Sequence, residues 1–584
     1  MRRHIRTLRF FSIADAFVLF LLAGLLAAVM LMAQRWNGDF APAVEIDLSL
    51  KSLPLYTLFS ASRGIASYFI SLAFSLVYGY AAARIPRAER FMIPVLDILQ
   101  CVPVLGFLPG LVLGLISVFP NSNIGLELAT ILMIFTSQAW NMAFSFYASL
   151  RSVPQDLKEV TQIAGLSWWQ RFTSLELPIS AVGLAWNSLM SMAGGWFFLT
   201  ICESFTLGDR VFRLPGLGSY MSVAIEQGNR QAMFFGIVAM MTLIVGMDLL
   251  IWRPLLVWVR RYTFDAATDS VEAGHSFLLT LFQESRLLSG IQGLFKRRRR
   301  HRRSVTADVP APSLRESDPP SVIKRKKHFL RMARWVALVC GSAVAAVIMG
   351  SLAMGIWRLG GILKGLGWPF WVILFRDAVW TMLRVFAATA LSTLWAVPVG
   401  LFIGLSPRLL RIAQPIVQVI AAFPAPMLYP LVLALLLRCG VDLDYGSVFL
   451  MIMGVQWYVL FNVIAGAMGI SKDLQASLRL AGVSKRTMWT KLYIPGIFPS
   501  LVVGWITAAG GTWNASIVTE YFKYNHTIHK ANGLGSAISR AAETGNFAAL
   551  AASIIVLIVL VVALNRLIWH PLSELAERRF RMDR

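Results

Sequence analysis

The sequence predicts an all-α polytopic membrane protein with about 12 transmembrane helices, arranged as two parallel six-helix repeats. Three observations lead there: a charge-poor apolar composition, apolar runs long enough to cross a bilayer, and an internal repeat kept in register. Of 584 residues, 57% are hydrophobic and 14% charged, and the mean hydropathy is +0.65. Soluble domains average about 45–50% apolar and about 25% charged residues, so a globular enzyme, a nucleic-acid-binding protein and a disordered tail protein all fit poorly. The net charge of +24 would suggest nucleic acid in a soluble chain, but Lys and Arg also accumulate on the cytoplasmic side of membrane proteins.

A span needs about 20 mostly apolar residues. Such runs fall at 11–33, 57–83, 91–118, 125–150, 178–206 and 231–258, then at 334–356, 376–405, 411–438, 447–470, 495–520 and 547–569. The first run is too long for a signal-peptide core and no small-residue cleavage site follows it, so it reads as a retained span. The third run of each set is interrupted, by Pro103 and Pro109 and by Pro424 and Pro430. Arg2, Arg3, Arg6 and Arg9, then Arg84, Arg87 and Arg90, mark the inner side, whereas 37–50 carries Asp39, Glu45 and Asp47 without a base. This bias puts both termini in the cytoplasm.

The organisation is a first domain at 1–261, a basic linker at 262–328 and a second domain at 329–584. The linker holds KRRRRHRR at 296–303 and falls inside, so most of the excess charge is topological and no nucleic-acid partner is implied. Within it, 276–295 has helical apolar spacing; it lies on the inner leaflet as an interfacial helix or belongs to a plain tether. Cys101, Cys202, Cys340 and Cys439 are far apart with no CxxC, which argues against disulfides or a zinc site. His526 and His529 lack a third ligand nearby, so no metal is expected.

The repeat is the strongest organisational signal. An offset of 317 pairs Asp156 with Asp473, Gly165 with Gly482, Pro178 with Pro495, Trp196 with Trp513 and Glu203 with Glu520. The same offset continues through Gly216/Gly533, Gly218/Gly535, Glu226/Glu543 and Trp252/Trp569. An offset of 321 pairs Arg63 with Arg384 and Pro103 with Pro424, leaving a four-residue difference in the loop after the third span. With six spans per half, both halves enter from the same side, related by a pseudo-two-fold along the membrane normal around one pathway.

After the fourth span of each half comes a polar stretch too long for a turn: EVTQIAGLSWWQRFTSLELP from Glu159 to Pro178, and ASLRLAGVSKRTMWTKLYIP from Ala476 to Pro495. Val160, Ile163 and Ala164 recur at helical spacing, predicting a short helix, a bend at Gly165 or Gly482 where a side chain would obstruct the turn, and a second short helix. Pro178 and Pro495 suit the first turn of the following span.

These stretches resemble the EAA loop of binding-protein-dependent ABC importer permeases: Glu-Ala-Ala, three residues, Gly, nine residues, Ile-x-Leu-Pro. The first copy matches at Glu159, Gly165, Leu177 and Pro178; the second matches at Gly482 and Pro495, with Ala476 in place of Glu and Ile494 in place of Leu. The resemblance implies a type I importer permease fold over roughly 57–260 and 376–572, with coupling loops at 156–178 and 473–495 seated on an ATP-hydrolysing subunit. Without Glu159's counterpart, the two contacts would be unequal; Glu159 alternatively serves only the helix dipole. The segment GGTWNASIVTEYF at 511–523 and GLG at 533–535 resemble the nitrate, sulfonate, taurine and bicarbonate branch, as a duplicated single-chain form.

At about 1.5 Å per residue, Gly194/Gly511 and Trp196/Trp513 fall in the outer half of the bilayer and Glu203/Glu520 near its outer interface. The glycines serve a pathway or close packing, and the tryptophans a gate or an interfacial anchor. Asn514 is a polar contact for solute or a helix–helix hydrogen bond. Glu203 and Glu520 would repel an anion, so we read structural or gating roles, paired with Arg63 and Arg384; in the alternative those guanidiniums receive the anion. No GxxxxGK[ST] phosphate loop occurs, so the chain is read as no enzyme, without cofactor. The resemblance implies two copies of an ABC ATPase, a periplasmic or lipid-anchored substrate-binding protein and a lipid bilayer, the bacterial inner membrane, as its surroundings. The alternative is an ion-coupled secondary transporter of two parallel six-helix halves, which would need ionisable residues at mid-membrane and leaves the EAA-like loops without purpose.

Overall fold

The computed structural model describes residues 40–262, 357–524 and 527–580, with a few residues of 24–36 and 349–355. Most of the expected spans at 11–33 and 334–356, the linker beyond Tyr262 and His526 lie outside the described residues. The chain divides into two compact units, Met1–Gly24 with Phe277–Trp368, and Leu25–Ser276 with Pro369–Arg584. The first is helical over 357–364. The second contains both copies of the repeat.

The first copy begins with α1 (Leu53–Arg84), which stops where Pro86 holds Ile85 extended. It continues through α2 (Pro86–Cys101), α3 (Leu108–Val118), α4 (Ile124–Arg151), α5 (Gln155–Ile163), α6 (Trp168–Arg171) and α7 (Leu177–Cys202). After the hairpin β1 (Ser204–Leu207) and β2 (Arg210–Arg213), it ends with α8 (Leu217–Glu226), α9 (Arg230–Met247) and α10 (Arg253–Val259). The second copy follows the same plan: α11 (Trp368–Gly404), α12 (Pro407–Ala422), α13 (Tyr429–Arg438), α14 (Leu443–Met468), α15 (Lys472–Leu480), α16 (Lys485–Met488) and α17 (Ile494–Thr519). The hairpin β3 (Tyr521–Tyr524) and β4 (Thr527–Lys530), α18 (Leu534–Glu543), α19 (Phe547–Leu564) and α20 (His570–Phe580) complete it.

Among the described residues six helices are long and apolar enough to cross a membrane, and a seventh span results if the pair Pro86–Gln100 and Val104–Val118, bent by 86°, counts as one. The bend has a local cause. Pro103 lacks an N–H and keeps Val102 extended, so the helix cannot run through. Helices α4 and α7 fill the fourth and fifth predicted spans of the first half but are not among the six. In α4 the reason is a polar inner face, where Glu127, Thr130 and Gln138 are buried.

Small residues let α1 lie close against α4. Ser67 and Ser71 donate to the Gln138 side-chain amide oxygen at 3.3 Å, Ser75 donates to the Ala139 backbone carbonyl at 3.0 Å, and a methyl on Gly79 would sit 2.9 Å from Phe146. The repeat extends to irregularities. Four π-helical turns, Phe172–Glu176 with Trp489–Tyr493 and Asp248–Trp252 with Asn565–Trp569, occupy equivalent positions at the offset of 317. The hairpins have no counterpart in the helical expectation. In the first, Gly208 at φ +58° makes the turn and Phe205 stacks on its cross-strand partner Phe212 at 5.2 Å.

Candidate functional site

Each coupling stretch forms an elbow: α5 or α15, a glycine, then the four-residue α6 or α16. Gly165 and Gly482 have φ of +60° and +71°, a conformation that side chains with a Cβ rarely adopt. The expected obstruction is absent. A Cβ at either glycine would meet nothing within 4 Å, so the backbone conformation, and not a neighbour, requires glycine. Ser167 and Gln170 close α6 with a reciprocal capping box, and Ser484 caps α16 by accepting from the Thr487 amide. Pro178 and Pro495 occupy the first turns of α7 and α17 as expected. The short helix runs into the span without a break, through the intervening π-turn.

Glu159 and Ala476 are both exposed. More telling are Ile163 and Leu480, equivalent positions that are 88% and 89% exposed. At both elbows an apolar side chain is thus left fully in the open. The first elbow adds Trp168 and Trp169, also exposed, where the second has Lys485 and Arg486.

At the other end of the spans, Arg63 and Glu203 form a buried ion pair at 2.7 Å, and Arg384 and Glu520 one at 3.0 Å. Arg63 also donates to Glu127 at 2.6 and 2.8 Å and to the Pro215 carbonyl at 2.9 Å. Arg384 donates to the Asp444 carboxylate at 2.8 Å and the Asn532 carbonyl at 2.8 Å. Ser60 and Thr381 complete the two clusters, donating to Glu203 at 2.7 Å and to Glu520 at 2.8 Å. Each carboxylate accepts from a helix N-terminus, Gly218 at 2.7 Å and Gly535 at 2.9 Å. A Cβ on Gly216 would collide with Glu203, and one on Gly533 with Glu520, which explains the paired glycines. Arg63, fully buried among these acceptors, offers an anion no open approach.

Glu127 and Asp444, like Ser60 and Thr381, escaped the sequence reading. Both pairs obey the repeat offsets but are similar rather than identical, so a search for conservative pairs would have found them.

Between the two halves the structure brings Gly194, Gly511 and Asn514 to one small cavity of about 80 Å³, together with Phe197 and Tyr458. A Cβ at Gly194 would lie 3.7 Å from the Tyr458 hydroxyl, and one at Gly511 3.3 Å from its ring. The two glycines thus flank one tyrosine. Asn514 accepts from the Val104 amide at 2.8 Å, satisfying the backbone where the bent third span breaks. Trp196 packs on Gly64 in the first half, 3.0 Å from a Cβ placed there; it and Trp513 are 2% exposed and line neither this cavity nor the next. A larger cavity of about 300 Å³ lies among the hairpins, walled by equivalent residues of both halves such as Phe205 and Phe522, and Glu226 and Glu543.

Residues 75–251 and 396–570, more than half of the chain, match the family described as binding-protein-dependent transport system inner membrane component. The nitrate import permease protein NrtB of Leptolyngbya laminosa is 25% identical over 232 residues, 38% of this chain and 77% of the relative. The putative aliphatic sulfonates transport permease protein SsuC of Escherichia coli (strain K12) is 27% identical over 37% of this chain and 81% of the relative. The taurine transport system permease protein TauC of the same strain is 22% identical over 29% and 58%.

Proposed function

The chain belongs to the binding-protein-dependent transport system inner membrane components, and from that premise we propose that it supplies the whole membrane pathway of an ATP-driven importer, two half-pores in one polypeptide. A separate ATPase dimer would seat one subunit on each elbow, and a substrate-binding protein would deliver an anionic solute, of the kind named for the relatives, to the hairpin side. In this reading the termini and the basic linker lie in the cytoplasm, and ATP-driven closure of the dimer moves the elbows, tilting α7 and α17.

The observation that carries it is the matched exposure of Ile163 and Leu480. Burying a side chain of this size is worth about 1.5–3 kcal/mol, so two such contacts at equivalent positions suit one symmetric partner. The test is co-purification from the native host. The wild-type chain should bring down two ATPase subunits, and the double variant Ile163→Asp/Leu480→Asp should lose them while still eluting as a monodisperse, helical protein. Absence of any ATPase, or normal uptake by the double variant, would overturn the reading.

A further inference from the structure

We infer that the 300 Å³ cavity among the hairpins is a solute site for an organic acid with an apolar body of several carbons, held in one orientation with its acid group at Lys523. The inference rests on the importer reading and narrows its substrate. Nitrate- or bicarbonate-sized ions are disfavoured by the same walls.

Size is the first argument. About 300 Å³ lies at the lower end of the range, about 300–1,000 Å³, of pockets that enclose drug-sized ligands, and a four-atom oxyanion would leave most of it empty. Wall chemistry is the second. Most of the lining is apolar, with Ile201, Phe205 and Ile225 facing from the first half and Ile517, Val518 and Phe522 from the second. A small oxyanion entering it would surrender hydration to surfaces that return none.

Charge is the third. Among the described residues the wall carries one cation, Lys523, and two carboxylates, Glu226 and Glu543. Glu226 accepts from Arg213 at 2.5 Å, while Glu543 pairs with Lys523 and accepts from the Tyr521 hydroxyl. Lys523 and Glu543 balance each other and Arg213, outside the lining, balances Glu226, so no surplus positive field attracts a bare anion. A solute must bring apolar surface of its own. One polar anchor remains for its acid group: the Lys523 ammonium has three donors, is 44% exposed, and gives an ion pair to Glu543 alone among the ion pairs seen.

That anchor exists on one side only. The first-half positions equivalent to Tyr521 and Lys523 are Ser204 and Thr206, both uncharged. The pseudo-two-fold of the pore is therefore broken inside the cavity, and an amphipathic solute has one favourable orientation, acid toward the second half and carbon chain toward the first.

The experiment measures equilibrium binding to the full chain in lipid nanodiscs, with empty nanodiscs as control, using nitrate, bicarbonate, ethanesulfonate and hexanesulfonate as probes. Hexanesulfonate should bind at least tenfold more tightly than ethanesulfonate, nitrate or bicarbonate. Lys523→Gln should weaken it about tenfold, and Val518→Trp, which fills the cavity, should abolish the dependence on chain length. Equal affinity for nitrate or bicarbonate, no gain with chain length, or indifference to both variants would overturn the proposal. Lys523 is partly exposed, so its variant tests the site even where Val518→Trp fails to fold. ATPase co-purification is scored separately: a chain that retains its ATPases but prefers nitrate sinks this proposal alone, and one that binds hexanesulfonate without any ATPase sinks the importer reading.

Discussion

The two elbows share a backbone and differ in what holds it. In the first, Glu176 is fully buried, pairs with Arg84 from the end of α1 and accepts from Arg171 of α6 at 2.7 Å. The equivalent residues of the second elbow are Tyr493, Leu405 and Met488. There Met488 and Tyr493 are 5% and 6% exposed in a hydrophobic cluster against which Leu405 packs. An ion-pair clamp and an apolar plug therefore produce the same sequence of short helix, positive-φ glycine, capped turn, π-turn and span. The geometry is what the two halves have in common, and the chemistry beneath it is interchangeable.

The strongest way to break that comparison is to transplant one solution into the other half. Glu176→Ala leaves two arginines without their buried partner and should cost about 3 kcal/mol, the low end for breaking a buried pair, because both arginines keep some contact with water. Tyr493→Ala opens a cavity and should also cost about 3 kcal/mol. The triple variant Arg84→Leu/Arg171→Met/Glu176→Tyr, which writes the second elbow into the first, should unfold close to the wild-type temperature, since apolar replacement of a buried ion pair is often neutral. Thermal unfolding of the purified chain reads all three. A triple variant as unstable as Glu176→Ala would mean that the first elbow needs its charges.

This difference was hidden in the sequence for a physical reason. Spans were legible as apolar runs, and the elbow glycines and the Arg63–Glu203 and Arg384–Glu520 pairs because identical residues recur at offsets of 317 and 321. Arg84 and Leu405 share a position but no chemistry, so a repeat read through identities passes over them. Asn514 was legible as a polar residue in the fifth span. Its partner, the Val104 amide 410 residues away, is exposed only by the break that Pro103 makes in three dimensions. The hairpins were missed because their four-residue strands are too short to outweigh the flanking helical pattern. The position of Trp196 and Trp513 along α7 and α17 does not say which face of the helix each side chain takes, and both pack into the interior.

A smaller effect sharpens the comparison at the surfaces the elbows present. The first offers Trp168 and Trp169, with Trp168 donating to the Tyr80 hydroxyl at 2.5 Å and stacked on Phe172 at 6.0 Å. The second offers Lys485 and Arg486. Contacts made by exposed charges weaken with ionic strength, whereas apolar contacts do not. With the first elbow disabled by Trp168→Ala/Trp169→Ala, the remaining ATPase affinity should fall several-fold between 0.05 and about 0.5 M salt. With Lys485→Ala/Arg486→Ala, it should change by less than about twofold. Equal salt dependence in the two variants would show that the partner reads only the shared backbone and Ile163 and Leu480.

The smallest effect concerns the outer hairpins, where the halves also diverge. Lys523 and Tyr521 tie the second hairpin to α18 through Glu543, whereas Thr206 and Ser204 stand at those places in the first. Burial alone would raise the Glu543 carboxyl, but the hydrogen bonds from Lys523 and Tyr521 outweigh it and hold the group below its ordinary value. A carboxyl depressed in the folded state adds stability that is fully present above its unfolded pKa of about 4.3 and disappears as pH falls through the folded value. Acidification should therefore loosen β3 and β4 before β1 and β2. Hydrogen exchange of 521–530 and 204–213, compared at pH 7 and at about pH 2.5, below the window in which such a depressed carboxyl protonates, with rates corrected for intrinsic exchange, checks this. Arg213 of β2 pairs with Glu226 in the first half, so the decisive variant is Glu543→Gln: it should bring the second hairpin at pH 7 to the protection it has in acid while leaving the first unchanged, and no change in the second hairpin would show that the Glu543 tie contributes nothing.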